Sequence, residues 1–481
     1  MNPQTPHTSE DKYPGILISA LRGGSGKTIL AVGITAALRR RGVAVTPFKK
    51  GPDYIDAGWL ASAAGRPCYN LDSFIIDQNQ LLCSFQRHAR HGEVVVVEGN
   101  RGLYDCIHTD GKTSSAELAK LLGLPVLLCI DATKTTRTMA AVVSGCCQFD
   151  PDLNLAGVIL NRVAGARHEK ILRDSITGHC GIPVVGAVPK LKQQAFPERH
   201  MGLVPTAEHS WATDSVAVAA AMAERYLDLD RILAIARTAR GLGSQAPSEP
   251  LCQPPPALAG APVIGVIRDS AFQFYYPENL EAIEAAGGRL VFTSPLTQDR
   301  LPAVDALYIG GGFPETHAEA LGRNAGYRDE VRRLAQEGLP IYAECGGLMF
   351  LGERLMIDEH TYPMTGVLPI SFGFSRRPMG HGYTMIRVAE SNPYFPVGTV
   401  LRGHEFHYSK VLEWRGRPTD MAFAMTRGGG IADGRDGLCR GNVLATYTHL
   451  HALGTPGWAP ALVRAARGFQ ARRTPKGAGP I

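Results

Sequence analysis

The sequence lacks any C-x-x-C pair, although its 481 residues include ten cysteines, at positions 68, 83, 106, 129, 146, 147, 180, 252, 345 and 439. Without paired spacings, neither a disulfide framework nor a zinc site is expected, and a reducing cytoplasm is the default compartment. Long apolar runs are missing too. Stretches such as Leu124 to Ile130 fall far short of the ~20 residues of a membrane span. The first residues, Met1 to Tyr13, are polar and hold no apolar segment of the signal-peptide kind. Charge of one sign is scarce: 50 Lys+Arg against 44 Asp+Glu leave a net charge of +6, dispersed except for a C-terminal cluster at Arg467, Arg472, Arg473 and Lys476. A dedicated nucleic-acid binder carries a denser basic stripe, so anionic small molecules are the better match. Gly (54 residues) and Pro (33) follow no repeat, which removes collagen-like and low-complexity readings.

What is present is an alternation of short apolar runs and helical patterns. Gly15–Ser19, Val94–Val97, Pro125–Ile130, Gly157–Leu160 and Pro183–Val188 are continuously apolar over four to six residues. Such runs fit strands buried on both faces of a parallel sheet. Between the first two lies an amphipathic helix over Lys27 to Arg41, stopped by Gly42. A Pro/Gly/Ser-rich stretch over 241–256 breaks the pattern, and the alternation restarts at Val263–Ile267, Leu290–Phe292, Ala306–Ile309 and Leu339–Ala343. The segment from about 365 to 450 is strand-rich. The expected architecture is α/β throughout, with a first domain over 1–240, a linker over 241–260, a second domain over 261–467 and a flexible tail over 468–481.

The first strand runs into Ala20-Leu-Arg-Gly-Gly-Ser-Gly-Lys-Thr28 and then into the helix, the context a P-loop requires. Gly23, Gly24 and Gly26 allow backbone N–H groups to converge on phosphate oxygens, Lys27 reaches the β- and γ-phosphates, and the Thr28 hydroxyl suits Mg²⁺. The strict first glycine is replaced by Leu21. The remaining Arg-Gly-Gly-Ser-Gly-Lys-Thr resembles the deviant P-loop of the dethiobiotin synthetase and partition-ATPase superfamily, with Arg22 at the usual signature lysine. Asp53, Asp56, Glu98 and Asp105 follow strand ends, where acids face the ligand crevice of open α/β sheets. Asp53 and Glu98 are the stronger candidates for holding Mg²⁺ during phosphoryl transfer.

In the second half, strand Leu339–Ala343 leads through Glu344 to Cys345-Gly346-Gly347 and a helical segment. A thiol between strand and helix, flanked by small residues, has elbow geometry. Gly310–Gly312 after another strand, with the Gly346 N–H, supply an oxyanion hole, Gly311 and Gly312 foremost. The base is His449 or His451 in Tyr447-Thr-His-Leu-His451.

Seven blocks in order carry a closer likeness: Lys50-Gly-Pro-Asp-Tyr-Ile-Asp56, Gly65-Arg-Pro-Cys-Tyr-Asn-Leu-Asp72, Glu98-Gly-Asn-Arg-Gly-Leu-Tyr-Asp105, Gly310-Gly-Gly-Phe-Pro-Glu315, Ala343-Glu-Cys-Gly-Gly347, Arg402-Gly-His-Glu-Phe-His-Tyr408 and Tyr447–His451. Together they resemble the cobyrinate a,c-diamide synthases, which join a dethiobiotin-synthetase-like P-loop ATPase to a class I glutamine amidotransferase-like domain. The resemblance implies amidation of the a and c acetates of cobyrinate with ATP and glutamine, through an acyl phosphate. It implies Cys345 as nucleophile, His449 as the group that activates it, and Lys27, Thr28, Asp53 and Glu98 at Mg·ATP; on the residues alone, His451 is the neighbour expected to orient His449. The chain departs from the family at Ala20-Leu21, at Ala57 and Leu60, and at His451, where class I glutaminases often place Glu. Arg199, next to His200, and Arg376-Arg377 are candidates for clamping the carboxylates of the macrocycle. The expected partners are small molecules, with no nucleic acid or membrane, and the reading allows a homodimer. Two alternatives stand beside it: amidation of nickel-sirohydrochlorin on the route to coenzyme F430, and a partition-type ATPase switch carrying an inactive glutaminase domain.

Overall fold

The computed structural model describes residues 12–190, 198–199, 202–203, 212–242 and 260–473. The chain divides into two compact units, Met1–Leu251 and Cys252–Ile481. The side chains of Arg199 and His200, and most of the expected linker, lie outside the described residues.

The first unit is built on a seven-stranded, all-parallel sheet. Its strands are β1 (Gly15–Ala20), β2 (Val45–Lys50), β3 (Tyr69–Leu71), β4 (Val94–Glu98), β5 (Val126–Asp131), β6 (Leu155–Val163) and β7 (Val184–Pro189). The order across the sheet is β3-β2-β4-β1-β5-β6-β7. β1 to β4 are buried along their whole length, which is why their sequences read as unbroken apolar runs rather than alternating ones. Helix α1 (Lys27–Arg40) covers one face through Leu30, Ala31, Ile34 and Leu38. It also packs on the helix Ala212–Tyr226 so closely that a Cβ on Gly33 would sit 2.6 Å from the Ala219 carbonyl oxygen. Because β4 is inserted between β2 and β1, its last residue, Glu98, lies in register with Ile18 on one side and Lys49 on the other. That insertion puts three loops at one crevice beyond the strand ends.

The second unit has a ten-stranded mixed sheet. Its parallel part runs Arg289–Thr293, Val263–Ile267, Ala306–Ile309, Ile341–Glu344, Val443–Thr446. An antiparallel part continues through Arg435–Arg440, Met421–Arg427, Gly380–Val388 and Val400–His407 to the two-residue strand His449–Leu450. The chain thus leaves the parallel part at Thr446 and re-enters the same sheet at His449, at its far edge. A separate four-stranded sheet holds Arg354–Ile357, His360–Pro363, Ile370–Phe374 and Ser409–Trp414. The final helix, Trp458–Arg473, runs past Gly468, so the part of the expected flexible tail that is described, 468–473, is helical instead. The reason is Phe469, 2% exposed, which is anchored in the apolar core. Every described cysteine is a free thiol. Among the described residues, no helix is long and apolar enough to cross a membrane.

Two outcomes follow for stability. Phe469→Ala removes a core ring and should cost about 3–5 kcal/mol in the second unit, read by urea denaturation. In the first unit, His88 is 4% exposed and stacks on Tyr69 at 3.4 Å between ring centroids. Burial, with Arg87 and His91 adding to it, holds the imidazole down at about 3. The unfolded chain binds this proton below about 6.5. Protonation therefore favours unfolding, and stability present above pH 6.5 should be lost as pH falls toward 3. His88→Leu should flatten that part of the stability-against-pH curve; an unchanged slope would assign the loss to other groups.

Candidate active sites

The P-loop is shaped by Gly24 (φ 71°) and Gly26 (φ 91°), both in the left-handed region. At Gly26 there is a second constraint, since a Cβ would stand 2.4 Å from Asn161 Nδ2. That amide donates to the Ser25 carbonyl at 2.8 Å and so supports the loop from the end of β6. Gly23 has open space where its Cβ would be, and its conformation does not demand glycine.

Lys27 is buried, and its ammonium donates to the Arg101 carbonyl at 2.7 Å, which brings the loop after β4 onto the P-loop. Thr28 Oγ1 donates to Glu98 Oε1 at 2.6 Å. The same carboxylate is 3.0 Å from Lys49 Nζ, which also contacts Asp56 Oδ2 at 2.7 Å. Burial opposes the charge of Lys49, but Asp56 and Glu98 raise its pKa above the ordinary lysine range. Burial pushes Glu98 up to about 7, with Lys49 opposing the rise and Asp56 adding to it. Desolvation and the Asp56 charge push Asp53 up to about 6. Asp53 also accepts the Asp56 N–H at 2.8 Å, fixing the start of the helix Ile55–Ala64.

Asp105 is used differently. Its carboxylate accepts the Gly102 N–H at 3.0 Å and shapes its own turn beside the loop. Arg22 points outward, its side chain 74% exposed and 3.4 Å from Asp131. Arg376 and Arg377 are both exposed.

Among the described residues no group of three His, Cys, Asp or Glu side chains gathers as a metal site. Mg²⁺ does not need one, since one or two carboxylates and substrate phosphates suffice. The donors here fit that ion. Glu98 Oε2 is buried with no hydrogen-bond partner, and the Thr28 oxygen stands beside the other carboxylate oxygen.

In the second unit, Cys345 occupies the corner between strand Ile341–Glu344 and helix Gly346–Leu351 at φ 47°, ψ −96°. A non-glycine residue in this strained region marks an elbow held by its surroundings. The Cys345 N–H donates to the Thr446 carbonyl at 2.7 Å, and the Gly347 N–H to Gly310 at 3.1 Å. Burial, then the Glu315 charge, pushes the thiol well above its ordinary value, so it is protonated at neutral pH and needs a base.

The glycines bring the parts into contact. A Cβ on Gly311 would lie 2.5 Å from His449 Cε1, and one on Gly346 would lie 3.0 Å from the Gly312 N. Gly312 (φ 155°) has the Ala271 carbonyl 2.1 Å from where its Cβ would be. Triple glycine, elbow and His449 thus form one cluster.

His449 is oriented by Glu344, whose Oε2 lies 3.3 Å from Nδ1. This corrects the expectation that His451 orients it. His451 Nε2 faces Glu278 at 3.6 Å, and its Nδ1 accepts the Leu453 N–H at 3.2 Å. The strand ends at Leu450, whose N–H is spent on Glu344 Oε1 at 3.1 Å, and His451, beyond the strand, faces another partner.

Glu344, Lys49 and Asn161 were missed by sequence reasoning. Glu344 carried a signal, because an acid closing an apolar strand was the same pattern that singled out Glu98. Asn161 had none.

Comparison with known proteins agrees with this division. A family model described as the CobQ/CobB/MinD/ParA nucleotide binding domain matches residues 16–204, and one described as the CobB/CobQ-like glutamine amidotransferase domain matches residues 263–456. A protein of Magnetococcus marinus named cobyrinate a,c-diamide synthase is 45% identical over 94% of this chain and 97% of its own length. Proteins of the same name from Archaeoglobus fulgidus (40% identical, 92% of this chain and 94% of the relative) and Methanosarcina barkeri (37%, 97% and 98%) are similar along nearly their whole length.

The Glu344–His449 pair makes a clear prediction. Glu344→Gln keeps the shape but loses the charge that orients and stabilises the imidazole. Glutaminase turnover should fall about 10²-fold, measured as glutamate release. Amidation from ammonium salts should hardly change, and a fall in both would mean that Glu344 supports the fold rather than the base.

Proposed function

The chain belongs to the cobyrinate a,c-diamide synthase family of glutamine-hydrolysing carbon–nitrogen ligases, and we propose that it amidates the a and c acetates of cobyrinate at the expense of ATP and glutamine. The observation that carries the reading is that one chain holds both halves of such a reaction. A P-loop stands against the buried Glu98, and a strained thiol is clustered with a Glu–His pair.

In the first unit, the N–H groups of the 23–28 loop receive the nucleotide phosphates and Lys27 neutralises the terminal ones. Thr28, Glu98 and Asp53 would hold Mg²⁺, which offsets phosphate charge when bound. A carboxylate of the macrocycle attacks the γ-phosphorus as the bond to ADP breaks. The resulting acyl phosphate gives ammonia a leaving group that a bare carboxylate lacks. Ammonia then forms the amide and phosphate departs.

In the second unit, His449 takes the Cys345 proton while its Nδ1–H donates to Glu344 Oε2. The thiolate adds to the side-chain amide of glutamine, and the oxygen of the adduct is received by N–H groups of the 311–312 loop and of Gly346. Ammonia leaves with the proton from His449. Water then hydrolyses the thioester to glutamate, with His449 as base. Burial of the site limits side reactions with bulk water.

The test uses separated nitrogen sources. Cys345→Ala should abolish glutamine-dependent amidation and keep ammonium-dependent amidation, whereas Lys27→Ala should abolish both, read as mass gained by the macrocycle. Wild-type enzyme supplied with cobyrinate and nickel-sirohydrochlorin in parallel should gain two amides on cobyrinate. Gain on nickel-sirohydrochlorin alone would overturn the proposed substrate, and ATP hydrolysis with no amide on either would favour the switch reading.

A further inference from the structure

β2 ends in two lysines, and the pleat of the strand sends them to opposite faces of the sheet. Lys49 is fully engaged with Asp56 and Glu98. Lys50 is not. It is 6% exposed, yet its ammonium makes no hydrogen bond or ion pair with any described residue. Asp72 is the acid that most influences it, but Asp72 spends Oδ1 on the Phe74 and Ile75 N–H groups at 2.8 and 2.9 Å. Burial holds the Lys50 pKa below the ordinary lysine range, as it does for an ammonium with no counter-charge in contact.

The place of this ammonium is informative. Immediately after it, Gly51 (φ 86°) turns the chain so closely past the end of β4 that a Cβ would be 2.8 Å from Asn100 Nδ2. The next residue, Arg101, is held at φ 53°, within electrostatic reach of Lys50. Its carbonyl is the group that receives the Lys27 ammonium. Lys50 therefore stands on the same loop junction as the lysine that faces the terminal phosphates, but on the other face of the strand from the Thr28–Glu98–Lys49 group. An ammonium on a largely buried side chain, with no counter-charge in contact, is stabilised when a ligand brings the opposite charge. The ligand that must meet the terminal phosphate here is the acceptor, and it is a polycarboxylate.

We propose that Lys50 is a substrate-binding residue that holds a carboxylate of the macrocycle beside the terminal phosphate of the nucleotide, with the exposed Arg101 adding positive charge at the same junction. The inference rests on the ligase reading above.

Steady-state amidation with ammonium chloride as nitrogen source separates the two. For Lys50→Met and Lys50→Gln, KM for cobyrinate should rise about 10- to 100-fold, the loss expected for a charge-assisted bond. KM for ATP should stay within about twofold, and Lys50→Arg should recover part of the affinity. Glutaminase turnover and thermal unfolding report the integrity of each variant. A rise in the KM for ATP instead would assign Lys50 to the nucleotide, and a cobyrinate KM within about twofold of wild type in both folded variants would overturn the proposal. If the wild-type enzyme amidates cobyrinate, either result leaves the ligase reading standing. If it does not, that reading falls first and this assignment falls with it.

Discussion

Each unit is organised around a carboxylate that has no contact with water. Glu98 ends β4 and Glu344 ends the strand Ile341–Glu344, and both are 0% exposed. A buried carboxylate is tolerated only where donors surround it, so each glutamate dictates what stands next to it. Around Glu98 these are the Thr28 hydroxyl and the Lys49 ammonium. Around Glu344 they are the Tyr342 hydroxyl, the Leu450 N–H and the His449 ring. In both units an interior parallel strand carries the acid to its carboxyl end and the neighbouring elements deliver the partners. The chemistry differs, but the construction is shared.

Close backbone approach is the second constraint. At Gly26, Gly51, Gly311 and Gly346 a Cβ would come within 3.0 Å of a neighbouring atom. These positions join a loop to the group it serves: Asn161, the β4 loop, His449 and the triple glycine. Strain is tolerated at Cys345 and Arg101, where non-glycine residues hold positive φ beside the two candidate sites. A site assembled from loops of several strands needs such contacts, because the strands fix the ends of the loops but not their mutual distances.

Much of this was legible in the sequence because burial on both faces removes ambiguity. Strands such as Val94–Glu98 have no solvent face, so an unbroken apolar run ending in an acid states both the strand and the place of the acid. The P-loop and the Cys345 elbow were legible for a related reason, since local backbone geometry dictates small residues within a few positions of the functional one. Contacts across the fold were not legible. That Glu344, rather than His451, orients His449 depends on a chain that leaves the sheet at Thr446 and rejoins it at the far edge. Asn161 under the P-loop is separated from Ser25 by β2, β3, β4 and β5, and nothing in its neighbours marks it. The helical character of 468–473 was not legible because a lone Phe469 among arginines and alanines gives a weak apolar pattern, although its burial is almost complete.

The two glutamates also show how similar surroundings assign different roles. Glu344 has both oxygens occupied: Oε1 by Tyr342 and Leu450, Oε2 by His449. With no free oxygen turned toward a ligand, it acts through the histidine it orients. Glu98 concentrates Thr28 and Lys49 on Oε1 and leaves Oε2 buried with no partner. An unsatisfied buried carboxylate oxygen is costly in the protein alone, and burial accordingly draws the pKa of Glu98 upward. A cation at the open oxygen would remove that cost, which is why Glu98 is proposed to hold Mg²⁺. The donors at each carboxylate, rather than its position at the strand end, are what distinguish the positioning role proposed for Glu344 from the binding role proposed for Glu98.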